Sequence, residues 1–336
     1  MLRRMVVAVV VCCAATGTAC STTEPSDELM VSDNPVAATP ARSPAPQVAP
    51  SGTVTALTGT PTSLAVDAEH GVLAVAVEQP PSVLLYRLTE ADTLSDPTTV
   101  ELSAPARSVT VSGTGGPLLA TTDDELVRIS LPDGRTSTAP VEGELTSAVG
   151  FGDDTLVAVR DRKAVAVVGD DGAARTISGG LFSADQVLST GENAVVFDRL
   201  RNAVFMLDVP GGAVDEGLRA GEGSTNAVAD RFGRVLLADT RGGALLAFSV
   251  DPLLMRQRFP VPGSPYGLAY DQERDLVWVT LTERNEVVGF DVAGGEPVEK
   301  HRFSTVEQPN SVTVDPSSGR VVVASATGKG IQVIAV

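Results

Sequence analysis

One short motif, apolar–x–x–apolar–x–apolar, returns along this chain in a nearly fixed register. Copies begin at Val83, Leu126, Val204, Leu245, Val287 and Ile331, and a weaker one begins at Val165, where Asp170 stands at the last apolar position. Successive copies lie 39 to 44 residues apart. A register held over so much of the chain excludes an ordinary sandwich and requires a repeat architecture.

Each copy is preceded by two further strand-like runs. In the first unit these are Ser63–Asp67 and Val72–Ala76, and in the sixth they are Gly267–Asp271 and Leu276–Thr280. Turn-forming residues follow the motif, as in Pro132-Asp133-Gly134, Asp170-Asp171-Gly172, Pro210-Gly211-Gly212 and Ala293-Gly294-Gly295. Asp-Gly and Gly-Gly at such places are hairpin signals. A fourth short run comes next, such as Arg258–Val261 or His301–Ser304. Four strands at a period near 40 residues define the blade of a β-propeller. The last copy stops at Val336 without a fourth strand, whereas Thr53–Thr58 is a strand with no predecessors. Docking the second beside the first closes a ring. The predicted fold is therefore all-β, a seven-bladed propeller over residues 51–336 closed by its N-terminal strand.

The second-strand, turn, third-strand units Leu236–Leu245 and Trp278–Val287 resemble those of the NHL and YVTN propeller families. The resemblance covers residues 53–336 and implies a fold, not an activity, since these families contain enzymes and partner-binding domains alike. No Gly-His…Trp-Asp pattern is present, and the single Trp rules out the tryptophan-docking pattern of quinone dehydrogenase propellers.

The first fifty residues read differently. Arg3 and Arg4 precede an apolar run from Met5 to Ala15, too short to span a bilayer but suited to a secretory signal. The run ends in Thr16-Gly17-Thr18-Ala19-Cys20, which resembles the lipobox of bacterial lipoproteins, with Gly17 in place of the usual Leu or Val. The resemblance implies a signal peptide over residues 1–19 and diacylglyceryl attachment at Cys20. It places the protein on the extracytoplasmic face of the cell membrane, held by its acyl chains. Cys12, Cys13 and Cys20 are the only cysteines, so no disulfide or cysteine zinc site can form in the propeller. Residues 20–50 are rich in Pro, Ala, Ser and Thr with no hydrophobic period, and are expected to form a disordered tether.

Formal net charge is −17, and removal of Arg3 and Arg4 with the signal takes it to −19. Without a basic run, nucleic acid is excluded as a partner. An acidic domain is repelled by an anionic membrane surface and is expected to stand off from it.

Chemistry is sought on the face where first strands begin. Residues at the seven starts include Arg107, Asp185, Asn226, Tyr266 and Asn310, a polar ring suited to a small polar ligand or a partner's side chain. The turns between second and third strands carry Arg160, Arg162 and Lys163, then Arg199, Arg201, Arg241, Arg284 and Lys329. Blades one and two carry Glu78 and Asp123-Asp124-Glu125 instead. Arg162, Arg199, Arg201, Arg241 and Arg284 are thus expected to form a basic arc for an acidic envelope protein, an anionic glycan or a lipid headgroup.

Catalysis has little to draw on. His70 is placed on the opposite face and His301 in an outer strand, so no histidine dyad forms at the ring. The reading is a non-catalytic binding or scaffolding module with no cofactor. The alternative is a metal-dependent, lactonase-like hydrolase, with Asp185, Asn226 and Asn310 holding a divalent cation such as Ca²⁺. Asp67, Asp230, Asp271 and Asp315 recur at the ends of first strands and are expected to satisfy turn backbone.

Overall fold

The computed structural model describes Leu29 and residues 34–336 apart from position 171. The signal peptide and Cys20 lie outside the described residues. The described chain forms seven four-stranded antiparallel sheets. Blade 1 is built from β2 (Pro61–Asp67), β3 (Val72–Val77), β4 (Ser82–Arg87) and β5 (Thr98–Glu101), and each later blade repeats the plan. Blade 7 takes β26 (Pro309–Val314), β27 (Val321–Ser325) and β28 (Ile331–Ile334) from the end of the chain and β1 (Thr53–Thr55) from its start. The closing register pairs Thr53 with Val333 and Thr55 with Ile331.

The composition of the strands follows from their place in the ring. Every blade is covered by a neighbour on both faces, so second and third strands are apolar at nearly every position. In β3 (VLAVAV) all six residues are buried. Their alternation survives as a division between neighbours: Val72, Ala74 and Ala76 pack toward blade 2, while Leu73, Val75 and Val77 pack toward blade 7. Fourth strands face solvent and return to a mostly polar pattern, as in β13 (Ala174–Ser178), where Ile177 alone is buried. Each pair of adjacent blades encloses its own apolar cluster, including one between blades 7 and 1 that contains Leu73, Tyr86, Val322, Ile331 and Val333. That cluster closes the core.

Two further devices hold the closure. The buried Gln332 side chain donates to Ser51 O at 2.6 Å and Ser304 O at 2.9 Å and accepts from Val306 N at 2.9 Å. It therefore ties the incoming chain, blade 6 and blade 7 at one point. On the other side Arg320 of blade 7 reaches Asp92 in the long β4–β5 loop of blade 1, Nε to Oδ1 at 2.5 Å. Gly52 turns the chain into β1 with φ +71°, and a Cβ there would strike the Val333 carbonyl.

The tether departs from expectation. Residues 34–50 cross the propeller in extended form without regular secondary structure, yet Ala38 and Ser43 are buried. Ser43 Oγ donates to Thr282 O at 2.5 Å, Asn285 Nδ2 to Pro44 O at 2.8 Å and Gln308 Nε2 to Ala41 O at 2.9 Å. Arg241 donates to Val36 O at 3.2 Å, and Arg199 to Ala38 O. The absence of hydrophobic period had pointed to disorder. What orders this strap is mostly its main-chain carbonyls, whose acceptor capacity every sequence has, together with the Ser43 hydroxyl.

Candidate functional site

Seven first strands converge on a cavity of about 610 Å³, within the range of small-molecule sites. Arg107, Asp185, Asn226, Tyr266 and Asn310 all line it, so the ring of residues expected from the repeat register is brought together. Five of the first strands carry a register shift where they begin, at Pro61/Ser63, Leu145/Ser147, Ser224/Asn226, Pro265/Leu268 and Pro309/Ser311. Such bulges re-aim side chains at a sheet's rim. Here they lift Thr62, Thr146, Thr225, Tyr266 and Asn310 to the mouth.

Much of the polar ring is spoken for by the fold. Thr62 Oγ1 donates to Ala106 O at 2.6 Å, Thr110 Oγ1 to Ala148 O at 2.7 Å, and Thr146 Oγ1 to Ala184 O at 3.0 Å. Gln186 holds Ala227 at both its N–H and its C=O, at 2.9 and 2.7 Å. Asn226 Nδ2 donates to Tyr266 O at 3.0 Å, and Gln308 Nε2 to Asn310 Oδ1 at 2.9 Å. Each bond except the last joins one blade to the next. First strands of adjacent blades form no β-ladder with one another, and side chains bridge them. The functional and the architectural demands on these positions therefore overlap.

The charged sector is an ordered ladder. Arg107 pairs with Asp123 at 2.8 Å and with Glu144 at 3.3 Å. Glu144 also meets Arg160 at 2.7 Å, and Arg160 Nε meets Asp185 Oδ1 at 2.8 Å. The series Asp123–Arg107–Glu144–Arg160–Asp185 runs over blades 2 to 4 with alternating sign. Glu144 was not singled out from sequence, because its role depends on two arginines from different blades. Asp185 is buried, and its Oδ2 takes Ser183 Oγ at 2.5 Å and Arg199 N at 2.9 Å.

This geometry does not suit the cation site considered for Asp185, Asn226 and Asn310. The single carboxylate is held against a guanidinium whose charge opposes a cation, and both of its oxygens accept hydrogen bonds already. No cluster of three or more His, Cys, Asp or Glu suited to a metal occurs among the described residues. The histidines are remote from the mouth. His70 Nδ1 pairs with Asp67 Oδ2 at 2.5 Å in the β2–β3 turn, and His301 stacks on Trp278 at 5.7 Å.

The basic arc also needs correction. Arg201 is buried, its guanidinium 4.4 Å from the Phe182 ring centroid and 5.8 Å from that of Phe205, and its Nη1 donates to Gly180 O at 2.5 Å. Burial lowers its pKa from the ordinary arginine value. It is a core residue of blade 4, not part of a rim. Arg162 pairs with Glu142. Arg199 and Arg241 grip the strap, and the exposed Arg284 lies beside Pro44 to Val48. The chain's own N-terminal segment thus occupies the blade 4 to 7 half of the arc.

Asp198 and Asp239 were not singled out either. Both are fully buried at the ends of second strands. Asp198 accepts from Phe182 N, Ser183 N and Arg201 N at 2.6, 3.1 and 2.8 Å. Asp239 accepts from Glu222, Gly223 and Gly242 N–H groups between 2.9 and 3.2 Å. These carboxylates fix the loops that carry Asp185 and Asn226. The recurring Asp67, Asp230, Asp271 and Asp315 satisfy turn groups, as in Asp230 to Phe232 N and Arg234 N, both at 2.9 Å.

Fold and mouth together define a closed seven-bladed propeller with a polar cavity. Solved structures similar to this chain share the architecture. A Kuenenia stuttgartiensis hydrazine synthase chain superposes with a TM-score of 0.70 at 14% identity, covering 84% of this chain and 97% of that one. A catalytically inactive histidine-to-alanine variant of virginiamycin B lyase from Staphylococcus aureus, with quinupristin, gives 0.69 at 12% identity, over 84% and 98%. The β-propeller domain of Myceliophteria thermophila Cps50 (Swd1) gives 0.69 at 11%, over 83% and 98%. At these identities the likeness is one of fold. No family model matches the chain, and no curated protein matches its sequence.

Proposed function

We propose that the protein is a cell-envelope lipoprotein, anchored through Cys20 on the extracytoplasmic face of the membrane, whose NHL/YVTN-like propeller is a non-catalytic binding or scaffolding module. The observation that carries the binding part is the 610 Å³ cavity on which polar groups from all seven blades converge. Its lining contains three arginines, one aspartate and no His, Cys or Lys. The aspartate is locked by Arg160 and Ser183, so the mouth offers fixed donors and acceptors without an activated base or nucleophile. One similar lyase loses catalysis with a single histidine. Both histidines of this chain stand outside the cavity lining, which argues against an equivalent chemistry.

The anchor is tested by mass spectrometry of the N-terminal peptide, where Cys20 is expected to carry a diacylglyceryl group. The binding face is tested by photocrosslinking in cells. A photoreactive phenylalanine replacing Tyr266 at the mouth is expected to capture a ligand or partner that the same probe replacing Glu273, in the turn between the blade 6 strands Pro265–Asp271 and Leu276–Leu281 on the opposite face, does not. Identical adducts from both positions would remove the cavity from consideration.

A further inference from the structure

We infer that the blade 5 to 7 side of the cavity, bearing Asn226, Tyr266, Asn310 and Ser311, is a subsite for a neutral saccharide. The inference deepens the reading of the cavity as a binding site and rests on it. Three observations point to it.

The first is where the charge lies. Arg107 and Arg160 are matched by Asp123, Glu144 and Asp185, all within the ladder of blades 2 to 4. Arg199, the third arginine of the lining, is turned to the strap: its Nη2 donates to Ala38 O, and its Nε is buried without a partner. Three guanidinium groups thus stand against three carboxylates. Blades 5 to 7 add no ionised side chain to the lining. A ligand of either net charge meets no uncompensated field on that side.

The second is a set of polar groups that the fold uses by half. Asn226 Nδ2 donates to Tyr266 O at 3.0 Å, which leaves Oδ1 as an acceptor. Gln308 Nε2 donates to Ala41 O and to Asn310 Oδ1, both at 2.9 Å, which leaves Asn310 Nδ2 as a donor. A carbonyl can only accept, so main-chain partners fix both amides in orientation. The Tyr266 and Ser311 hydroxyls make no hydrogen bond among the described residues. None of these four free groups is buried, and all belong to residues that line the cavity.

The third is the kind of ligand such a set accepts. A hydroxyl both donates and accepts, so one polyhydroxylated molecule satisfies the fixed donor of Asn310 and the fixed acceptor of Asn226 together. An oxyanion, which only accepts, would set its lone pairs against Asn226 Oδ1. An ammonium group, which only donates, would meet the Asn310 N–H groups. Tyr266, half-buried, is the one aromatic ring in the lining among the described residues. Its apolar body suits the C–H face of a sugar ring, and its polar tip suits the hydroxyls at the edge.

The experiment uses the full chain, purified in detergent, on a printed array of neutral oligosaccharides built from hexose and N-acetylhexosamine units. Uronic-acid and sulfated forms of the same backbones are printed beside them. The wild type is expected to retain neutral saccharides, equally at low and high salt. Asn310→Asp keeps the oxygen that Gln308 bonds and turns the free donor into an acceptor. Tyr266→Ser removes the ring from a residue whose hydroxyl the fold does not use. Each is expected to weaken retention at least tenfold while leaving the unfolding midpoint within a few degrees. Release by the matching free monosaccharide would assign the site to a soluble sugar, and release by the oligosaccharide alone to a glycan chain; either upholds the inference. Equal retention by the wild type and both variants, retention of the acidic forms alone, or no retention of any saccharide would each overturn it. Specific capture of a protein by the photoprobe at Tyr266 would leave the cavity a binding site and overturn only its saccharide assignment. Identical adducts from the Tyr266 and Glu273 probes would instead remove the binding reading beneath it.

Discussion

At the residue scale, the side chains that matter most to this ring are acids and amides that never meet solvent. Asp198 shows the balance. Burial pushes its carboxyl pKa above the ordinary aspartate value, while three backbone N–H groups and Ser183 Oγ pull it down without cancelling the shift. The folded state therefore binds the Asp198 proton more tightly than the unfolded chain. Its contribution to stability is full below the unfolded pKa and is lost as pH rises through the folded one. Asp198→Asn places an amide donor against backbone donors and is expected to cost about 1–3 kcal/mol at neutral pH. The wild type's advantage should widen at pH 4 relative to pH 7, as read from paired urea titrations. Arg201→Glu is expected to cost about 3 kcal/mol or more, because it buries an unpaired charge between Phe182 and Phe205. Reversing Arg201 to probe a binding rim would thus report on folding. Gly289 pairs with Trp278, and a Cβ there would come within 2.9 Å of the indole ring. Gly289→Ala should displace the indole and shift the emission of the sole tryptophan.

At the scale of elements, β1 and the strap are the pieces whose worth depends on contacts remote in sequence. The side chain of Gln332 joins three segments through one amide. Gln332→Leu keeps the volume but removes the Gln332 bonds to Ser51 O and Val306 N, at about 1–3 kcal/mol for each buried group that water cannot reach, while Ser304 O keeps its bond from Ser51 N. Hydrogen exchange should accelerate first at Thr53–Thr55 and β28, before other blades respond. No acceleration there would mean that β1 is held by its three-residue ladder alone. The strap has a different signature. Most of its anchors are donors from the ring to strap carbonyls, so side-chain substitutions within it should be mild except at the buried Ser43, whose hydroxyl joins Thr282 O and Gln308 N. Gln308→Ala, which removes bonds to Ala41 and Asn310 at once, should release the segment to proteolysis while the ring stays folded.

For the whole molecule the decisive property is closure. Every blade buries apolar side chains against two neighbours, and the cluster between blades 7 and 1 closes the circuit. A chain beginning at residue 51 retains β1 and should melt cooperatively, a few degrees lower than the strapped protein. One beginning at residue 57 loses β1, exposes the edge of β28 and should aggregate on heating, as unpaired edges do. Light scattering during a thermal ramp distinguishes the two.

The repeat period fixed the number of blades, the closing strand and the set of residues meeting at the mouth, because a 39 to 44 residue register places equivalent positions of every blade at one radius. It therefore also put Arg107, Asp185, Asn226, Tyr266 and Asn310 together. Pairing lay beyond its reach. Whether Asp185 is a free carboxylate or the end of an ion ladder depends on Arg160 and Ser183, and whether Arg201 is rim or core depends on two phenylalanines of its own blade. The strap was least legible of all. A Pro- and Ala-rich segment carries no hydrophobic signal, and the donors that order residues 34–50 belong to Arg199, Arg241, Asn285 and Gln308, more than 150 residues away along the chain. Periodicity is a local property that a single sequence displays. Hydrogen bonds between remote segments exist only once the chain has closed on itself, and they decide which of its polar groups remain free to bind anything else.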